Sequence, residues 1–209
     1  MNMRGRPDLC ACRERWQDRV VIGVTGHRFL SGENRVADGV DLALRQVELA
    51  YGARPLALLS PLASGADQLV ARRALLRPGT ELVVPLPMPL TEYLNDFPAG
   101  TSRDAFLELL SQAVETVNMP PAGIRDEAYK AVGRFVVEHS DVLIAVWDGK
   151  PARGQGGTGQ IVAEARQRGL PLAWIPADNQ AARTVSSLSD ASEEGTVRFE
   201  RFPPKSQDR

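Results

Sequence analysis

The chain has 209 residues, 43% of them hydrophobic, and a formal net charge of −1 at pH 7. This length and composition predict one domain with a full apolar core, and the near-zero charge argues against nucleic acid or an anionic membrane as a general partner. No apolar stretch approaches the length of about 18 residues that suggests a transmembrane helix, and residues 1–19 lack a signal-peptide core. We therefore expect a cytoplasmic protein without a membrane association.

The N-terminal segment, residues 1–19, alternates charged and small residues and is predicted to be a flexible leader. Both cysteines of the chain, Cys10 and Cys12, lie in this leader, far in sequence from either histidine. Two thiols without further ligands do not complete a zinc site, so we expect reduced thiols and no bound metal; a lipid-modified or metal-binding cysteine is the alternative. The folded domain is expected to span residues 20–177, followed by a polar C-terminal tail at 178–209.

The first predicted strand, residues 19–25, is a β-branched run that leads directly into Gly26, His27 and Arg28. Ligand contacts are common just past the strand ends of a parallel sheet, so Thr25 and these three residues are candidate ligand contacts. A histidine that packs in the core or caps a helix is the alternative for His27.

Residues 36–51 carry apolar side chains at helical spacing and predict a crossover helix, and residues 55–60 predict a second strand. The following turn, Ser64-Gly65-Ala66-Asp67, opens another helix. Ser64 is a suitable helix cap, and Asp67 lies in the first turn, where a carboxylate interacts favourably with the helix dipole. A carboxylate there could equally hydrogen-bond a ribose hydroxyl, and the sequence leaves both roles open.

A third strand is predicted at residues 81–87. The proline-rich segment 88–97, which contains Tyr93, is too short for another strand and is predicted to be a cover loop. Apolar residues at helical spacing then predict two helices, one within 106–117 and one within 128–139, separated by a firm break.

The second of these helices carries Arg125, Tyr129 and Gly133 on a face that differs from its main apolar stripe. That face is expected to look toward the site; a tyrosine that packs over a neighbouring loop is the alternative for Tyr129. The apolar faces of residues 106–117 and 128–139 exceed what one face of a sheet needs, so we expect a homodimer.

The most informative stretch of the chain is residues 141–158. It begins with a nearly continuous apolar run, which is typical of a strand buried on both faces of a parallel sheet. The loop after this run carries one carboxylate, three glycines and a threonine: Asp148, Gly154, Gly156, Gly157 and Thr158. Helical spacing resumes after the threonine and continues to Gly169.

This order of strand, glycine loop and helix predicts a phosphate site. The first N–H groups of a helix have no internal partner, the helix dipole there favours negative charge, and glycine lets an anion approach the backbone. An ordinary glycine-rich connection is the alternative.

The last strand of the domain is predicted at residues 170–176, and the alternating patch at 197–202 is expected either to add an edge strand or to dock on a partner. At least five strands that alternate with helices predict an α/β fold, a Rossmann-like three-layer sandwich with a mainly parallel sheet. Each unusual polar group of the chain follows a strand end, which favours one shared site for an anionic ligand. The chain has no G-x-G-x-x-G after its first strand and no G-x-x-x-x-G-K-[ST], which disfavours ordinary dehydrogenases and P-loop nucleotide hydrolases.

Four segments of the chain resemble the SLOG superfamily, a Rossmann-like group that includes the Lonely Guy phosphoribohydrolases and the DNA-processing DprA proteins. These segments are Gly23-Val-Thr-Gly-His-Arg28, Ser64-Gly-Ala-Asp67, Ser140-Asp-Val-Leu-Ile-Ala-Val-Trp-Asp148 and Gly156-Gly-Thr158. The resemblance covers roughly residues 20–177. It implies a nucleotide or nucleotide-derived ligand, with its phosphate on the Gly156-Gly157-Thr158 turn and its base or ribose near Gly26 and near Ser64, Gly65 and Asp67.

One departure from this family concerns catalysis. The phosphoribohydrolases carry P-G-G-x-G-T-x-x-E, whose glutamate belongs to the catalytic site. Here Thr158 is followed by Gly159, Gln160 and Ile161, and the first acid is Glu164, six positions on. Six positions rotate a side chain by roughly 240° around a helix of about 3.6 residues per turn, away from the face of the threonine.

The sequence therefore favours a module that binds or senses a nucleotide-type ligand, without a certain cofactor. The alternative is an N-glycosidic hydrolase or related transferase, with Asp67, Asp96 and Asp148 as candidate carboxylates and Asp67 and Asp148 as the candidate catalytic residues. A further alternative is the binding of single-stranded DNA, which needs a basic groove with stacking aromatic residues. The near-neutral charge and the aromatic content of 6% disfavour that role.

Overall fold

The structure of the protein, a computed structural model, describes residues 15–52, 54–151, 156–178 and 196–203. Cys10, Cys12 and Gly154, for which the sequence makes predictions, lie outside these residues. Seven strands are found within the described ranges: β1 (Val20–Gly26), β2 (Leu56–Leu59), β3 (Glu81–Leu86), β4 (Glu115–Asn118), β5 (Val142–Trp147), β6 (Leu172–Pro176) and β7 (Arg198–Glu200). The same ranges contain six α-helices: α1 (Glu33–Tyr51), α2 (Ala66–Leu75), α3 (Leu90–Tyr93), α4 (Thr101–Ser111), α5 (Arg125–His139) and α6 (Thr158–Gln167).

All seven strands form one sheet in the order β4-β3-β2-β1-β5-β6-β7. Strands β1 to β6 pair in parallel, and β7 pairs antiparallel to β6. The fold is therefore α/β with a mostly parallel sheet, and the predicted Rossmann-like sandwich is confirmed.

Two apolar cores cover the two faces of the sheet. Side chains along a strand alternate between the faces, so Val20 and Ile22 of β1 pack with α1, α2 and α4, whereas Val21 packs with α5 and α6. All six residues of β5 are buried, as expected of a strand with a helical layer on each side. The carboxyl ends of the strands and the starts of the following helices are left at one edge of the sheet.

The prediction of a helix within residues 106–117 is wrong for the second half of this range, because α4 ends at Ser111 and β4 follows. β4 pairs in parallel with β3, and the N–H of Val114 donates to Leu82 O at 2.9 Å. Val117 is 4% exposed on the sheet, whereas Val114 is 59% exposed, a difference that a shared helical stripe would not produce. Pairing with β3 satisfies the backbone of this β-branched segment, and this nonlocal contact overrides the apparent helical spacing.

Other elements follow the prediction more closely. β7 confirms that the patch at 197–202 adds an edge strand. The segment predicted as a cover loop contains α3 and a single 3₁₀ turn, and it contributes to the core: the ring of Tyr93 packs edge-on against Phe97 and Phe106 at centroid distances of 5.2 and 5.6 Å. None of the helices in the described ranges combines the length and apolar character that a membrane span requires.

Candidate functional site

A cleft of about 460 Å³ lies at the point where the strand order of the sheet reverses. The chain builds β1 to β4 toward one edge and then crosses to β5 on the other side of β1. In open α/β sheets, ligands bind outside the carboxyl ends of the two strands that meet at such a switch point. The cleft is lined by the loops after β1 and β5, by α5 and by the start of α6, and its volume is in the range of about 300–1,000 Å³ typical of small-molecule sites.

The loop after β1 is clamped between β5 and α2. The N–H of His27 donates to Val146 O, and the carbonyl oxygen of His27 accepts the N–H of Ala66, both at 3.0 Å. A Cβ at Gly26 would lie 2.3 Å from Ala66 Cβ and 2.7 Å from Val146 O, so only glycine allows this approach. Thr25, Gly26, His27 and Arg28 all line the cleft, as the sequence predicts.

Gly65 packs against this loop, and neither Ser64 nor Gly65 is part of the cleft lining. Gly65 has φ +79°, and a Cβ there would lie 2.4 Å from Arg28 O. The predicted role of Ser64 as a helix cap is wrong: Gly65 occupies the N-cap position of α2, and the Ser64 hydroxyl lies 2.6 Å from the hydroxyl of Ser102. The close approach of α2 to the β1 loop requires glycine at the cap, which moves the serine one residue outward.

The predicted phosphate turn lies between β5 and α6. Gly156 has φ +75°, and a Cβ there would lie 3.0 Å from the backbone nitrogen of Lys130, so the turn packs directly on α5. The side-chain oxygen of Gln160 accepts the N–H of Gly156 at 2.8 Å and braces the turn from within the helix. Gly157 is the N-cap of α6 with ordinary extended angles, φ −71° and ψ 159°.

Gly156, Gly157, Thr158 and Gly159 all line the cleft. Because α6 begins at Thr158, the N–H groups of residues 157–159 have no acceptor within the helix. The positive end of the helix dipole therefore faces the cleft, which is the arrangement that favours an anion.

Asp67 is a buried carboxyl in the first turn of α2 that also lines the cleft. It is 4% exposed, and its Oδ2 accepts the N–H of Ala63 at 3.2 Å. Burial raises the pKa of Asp67 to about 7, although the hydrogen bond from Ala63 and the nearby Arg28 and Ser60 oppose the rise. At neutral pH this side chain can donate as a neutral acid or accept as a carboxylate, and both predicted roles, helix dipole partner and ligand contact, fit its position.

Asp148 and His27 join the loops after β5 and β1. The Nε2 atom of His27 lies 3.1 Å from the backbone nitrogen of Asp148 and 3.2 Å from its Oδ1. An unprotonated Nε2 accepts the backbone N–H, whereas an Nε2–H, present in one neutral tautomer and in the imidazolium, donates to the carboxylate; the two contacts therefore require different proton positions on the ring. Asp148 Oδ1 also accepts the N–H of Lys150 at 3.1 Å. Asp148 therefore holds the loop together, although it lines the cleft.

The side of the cleft near α3 is closed by a polar network around Asp96. The hydroxyl of Tyr129 donates to Asp96. The guanidinium of Arg125 pairs with Asp96, and Nη1 of the same guanidinium lies 3.3 Å from Glu92 Oε1. The guanidinium of Arg28 lies 5.2 Å from the centre of the Tyr129 ring, within the range of a cation–π contact. Tyr129 thus lines the cleft and also packs on a neighbouring loop, whereas Arg125 stays outside the cleft lining.

Tyr93, the predicted cover residue, lines the inner wall of the cleft. Its hydroxyl donates to Pro61 O at 3.1 Å. Burial raises the pKa of Tyr93 well above its ordinary value, so the hydroxyl remains a donor. Tyr93 therefore shapes the wall with its ring and leaves the polar chemistry to Asp67 and Arg28.

The side chain three positions after Thr158 on α6 is apolar in this protein. Ile161 is 3% exposed and lines the cleft, and it packs against Gly133, where a Cβ would lie 2.4 Å from Ile161 Cδ1. Glu164 turns away from the cleft and pairs with Arg134 at 3.1 Å and with Arg168 at 3.6 Å. This agrees with the rotation expected from the sequence.

Several cleft residues were missed by the sequence interpretation. Lys150 and Phe29 line the cleft and lie one or two residues beyond predicted positions, so the same rule about strand ends would have included them. Val132 and Val136 also line it, at spacings of three and seven from Tyr129, and the helical period would have placed them on one face. Among the residues that the structure describes, no group of three or more His, Cys, Asp or Glu is arranged to hold a metal ion.

Comparisons with known proteins return no match at the level of sequence. No protein-family model matches the chain. No curated protein matches it either.

Proposed function

We propose that the protein binds a nucleotide or nucleotide-derived ligand in the cleft, with a phosphate at the start of α6. The observation that carries this proposal is the coincidence of two independent features. The cleft lies at the switch point between β1 and β5, and the anion-favouring first turn of α6 lines it. The resemblance to the SLOG superfamily predicts the same ligand class and the same phosphate turn.

Two cationic side chains add to the attraction for a phosphate. Arg28 follows β1 and Lys150 follows β5, and both line the cleft. Lys150 Nζ is 3.8 Å from Asp148, a distance at which the pair is weak and the ammonium remains available to a ligand. Arg28 lies against the Tyr129 ring, a contact that positions its guanidinium at low entropic cost.

Asp67 is suited to a ribose hydroxyl. A hydroxyl can donate to a carboxylate and can accept from a neutral carboxylic acid, so it matches Asp67 on either side of a pKa of about 7. The N–H of Ala63 and the side chain of Ser60 hold this carboxyl in its buried position on the wall of the cleft. A ligand with a phosphate at α6 and a hydroxyl at Asp67 contains a sugar phosphate, as a ribonucleotide does.

The arrangement favours binding over chemistry. Contacts to a phosphate are made equally in the ground state and the transition state, so they lower a dissociation constant without raising a rate. A cleaved glycosidic bond needs an acid or carboxylate beside the anomeric carbon, and Ile161 occupies the position of the glutamate of the phosphoribohydrolases. Binding or sensing is therefore the principal proposal.

Calorimetric titration with the four common ribonucleoside 5′-monophosphates tests the proposal. The variant Gly157→Val places a branched side chain over the anion position, and the extended angles of Gly157 accept valine without strain. Gly123→Val is the matched control, because a Cβ at Gly123 makes only an ordinary contact of 3.6 Å and the residue is outside the cleft lining. We expect Gly157→Val to bind the nucleotides at least about tenfold more weakly than the wild type. The control Gly123→Val should keep the affinity of the wild type. Absence of binding to the wild type would overturn the proposal.

An N-glycosidic hydrolase is the second candidate, favoured by one observation. Asp67 lines the cleft with a pKa raised to about 7, the range in which a carboxyl serves as a general acid. The test is base release from nucleoside monophosphates, followed by chromatography, for the wild type and for Asp67→Asn. Turnover that the substitution destroys would establish the hydrolase, and binding without turnover would establish the module that only binds.

A further inference from the structure

Phe29 is an exposed aromatic side chain on the lip of the cleft. It is 57% exposed, although it lies between Arg28 and the buried Leu30, which is 6% exposed. An aromatic ring that is left in water contributes little to folding, whereas the same ring contributes strongly when a ligand covers it. Its position makes it the aromatic group most accessible to a ligand that enters the described part of the cleft.

The backbone that carries Phe29 is held on both sides. Before it, His27 is hydrogen-bonded to Val146 and Ala66, and Gly65 packs against the carbonyl of Arg28. After it, Leu30 is anchored in the core. The ring is thus exposed on a fixed loop, so little ordering is required when a flat ligand binds to it.

The interior of the cleft next to this lip is partly apolar. Val24 of β1 and Val132 and Val136 of α5 line it, together with polar groups such as Asp67 of α2 and Arg28 of the β1 loop. An aromatic heterocycle matches such a surface, because its faces are apolar and its edges are polar. A sugar phosphate offers no apolar face of this kind.

We propose that Phe29 stacks on the base of the ligand, so that the ligand is a nucleotide with an intact base rather than a sugar phosphate. This inference rests on the proposed function and makes it more specific. Stacking does not depend strongly on which base is present, because every base has a π face. Phe29 therefore supplies affinity for bases in general. Discrimination among bases is left to the polar groups of the cleft.

The test compares ligands that differ only in the base. The four ribonucleoside 5′-monophosphates and ribose 5-phosphate are titrated by calorimetry into the wild type and into Phe29→Ala, Phe29→Leu and Phe29→Trp. Stacking on one aromatic ring predicts that the wild type binds the nucleotides about 5- to 150-fold more tightly than ribose 5-phosphate. Phe29→Ala should lose most of this preference and keep its affinity for ribose 5-phosphate, which also shows that the variant is folded.

The other two variants separate stacking from simple apolar cover. Tryptophan should retain the preference, and leucine, which has no π face, should not. Equal binding of nucleotides and ribose 5-phosphate by the wild type would overturn the role of Phe29 and leave the phosphate site standing. So would an unchanged preference in Phe29→Ala or in Phe29→Leu. If neither ligand class binds the wild type, the inference and the proposed function both fail.

Discussion

Replacing Asp67 by asparagine should make the protein more stable than the wild type at pH 8, and the gain should shrink as the pH falls toward 4. Burial raises the pKa of Asp67 from 3.8 to about 7, so the folded state favours the neutral carboxyl. Between these values the folded state holds a proton that the unfolded state has released, and the free energy of unfolding therefore falls as the pH rises. The interval between the two pKa values corresponds to about 4 kcal/mol, which is the largest gain in unfolding free energy that the substitution can give.

Asparagine suits this test because it has nearly the shape of the neutral carboxyl and never ionises. Its side-chain oxygen can accept the N–H of Ala63 that Asp67 Oδ2 accepts. Urea unfolding of both proteins, followed by tryptophan fluorescence from pH 4 to pH 8, gives the difference in free energy at each pH. All other titrating groups are common to both proteins and cancel in this difference.

The difference should rise from near zero at pH 4 to a plateau above pH 7. Asp67→Ala is the matched control: it also removes the ionisation, but it leaves the N–H of Ala63 without its acceptor. The difference in unfolding free energy between Asp67→Ala and the wild type should depend on pH in the same way as that of Asp67→Asn. It should be lower by about 1–3 kcal/mol at every pH. A difference that stays constant from pH 4 to pH 8 would refute the buried neutral carboxyl.

Two further predictions concern the loop after β1. Gly26→Ala should destabilise the protein by about 1–3 kcal/mol in urea unfolding, because its Cβ would meet Ala66 Cβ at 2.3 Å. Stability equal to that of Gly123→Ala, whose Cβ makes only an ordinary contact of 3.6 Å, would show that the packing at Gly26 is not tight. Arg28→Gln should weaken the binding of nucleoside monophosphates and the binding of ribose 5-phosphate by a similar factor, about tenfold. The reason is that the guanidinium of Arg28 is expected to contact the phosphate that both ligands share. A loss that affects only the nucleotides in calorimetry would instead assign Arg28 to the base.

Much of the fold could be predicted because its signals are local. The buried strand β5 is a continuous apolar run, and glycines mark the ends of α1 and α6, so the alternation of strands and helices is readable from the sequence. β4 could not be found in this way. It has four residues, it pairs only with β3 and it buries only Val117, so its strand character depends on a partner that is distant in sequence.

The same distinction between local and nonlocal signals applies to the candidate site. The rule that ligands bind past strand ends identified the loops that carry Arg28, Asp148 and Gly157, all of which line one cleft. The burial of Asp67 could not be predicted, because it depends on the packing of the β2 loop and of Arg28 around the carboxyl. The cap of α2 was assigned to Ser64 rather than to Gly65 for a similar reason: the choice depends on how closely α2 approaches the β1 loop.

The central claim is that the first turn of α6 holds a phosphate, and amide NMR tests it most directly. Ribose 5-phosphate is added to the ¹⁵N-labelled protein while the backbone resonances of Gly157, Thr158 and Gly159 are followed. We expect these three N–H signals to move and saturate together, at the dissociation constant that calorimetry gives, while the signal of Gly123 stays in place. Saturable binding that leaves residues 157–159 unmoved would contradict it.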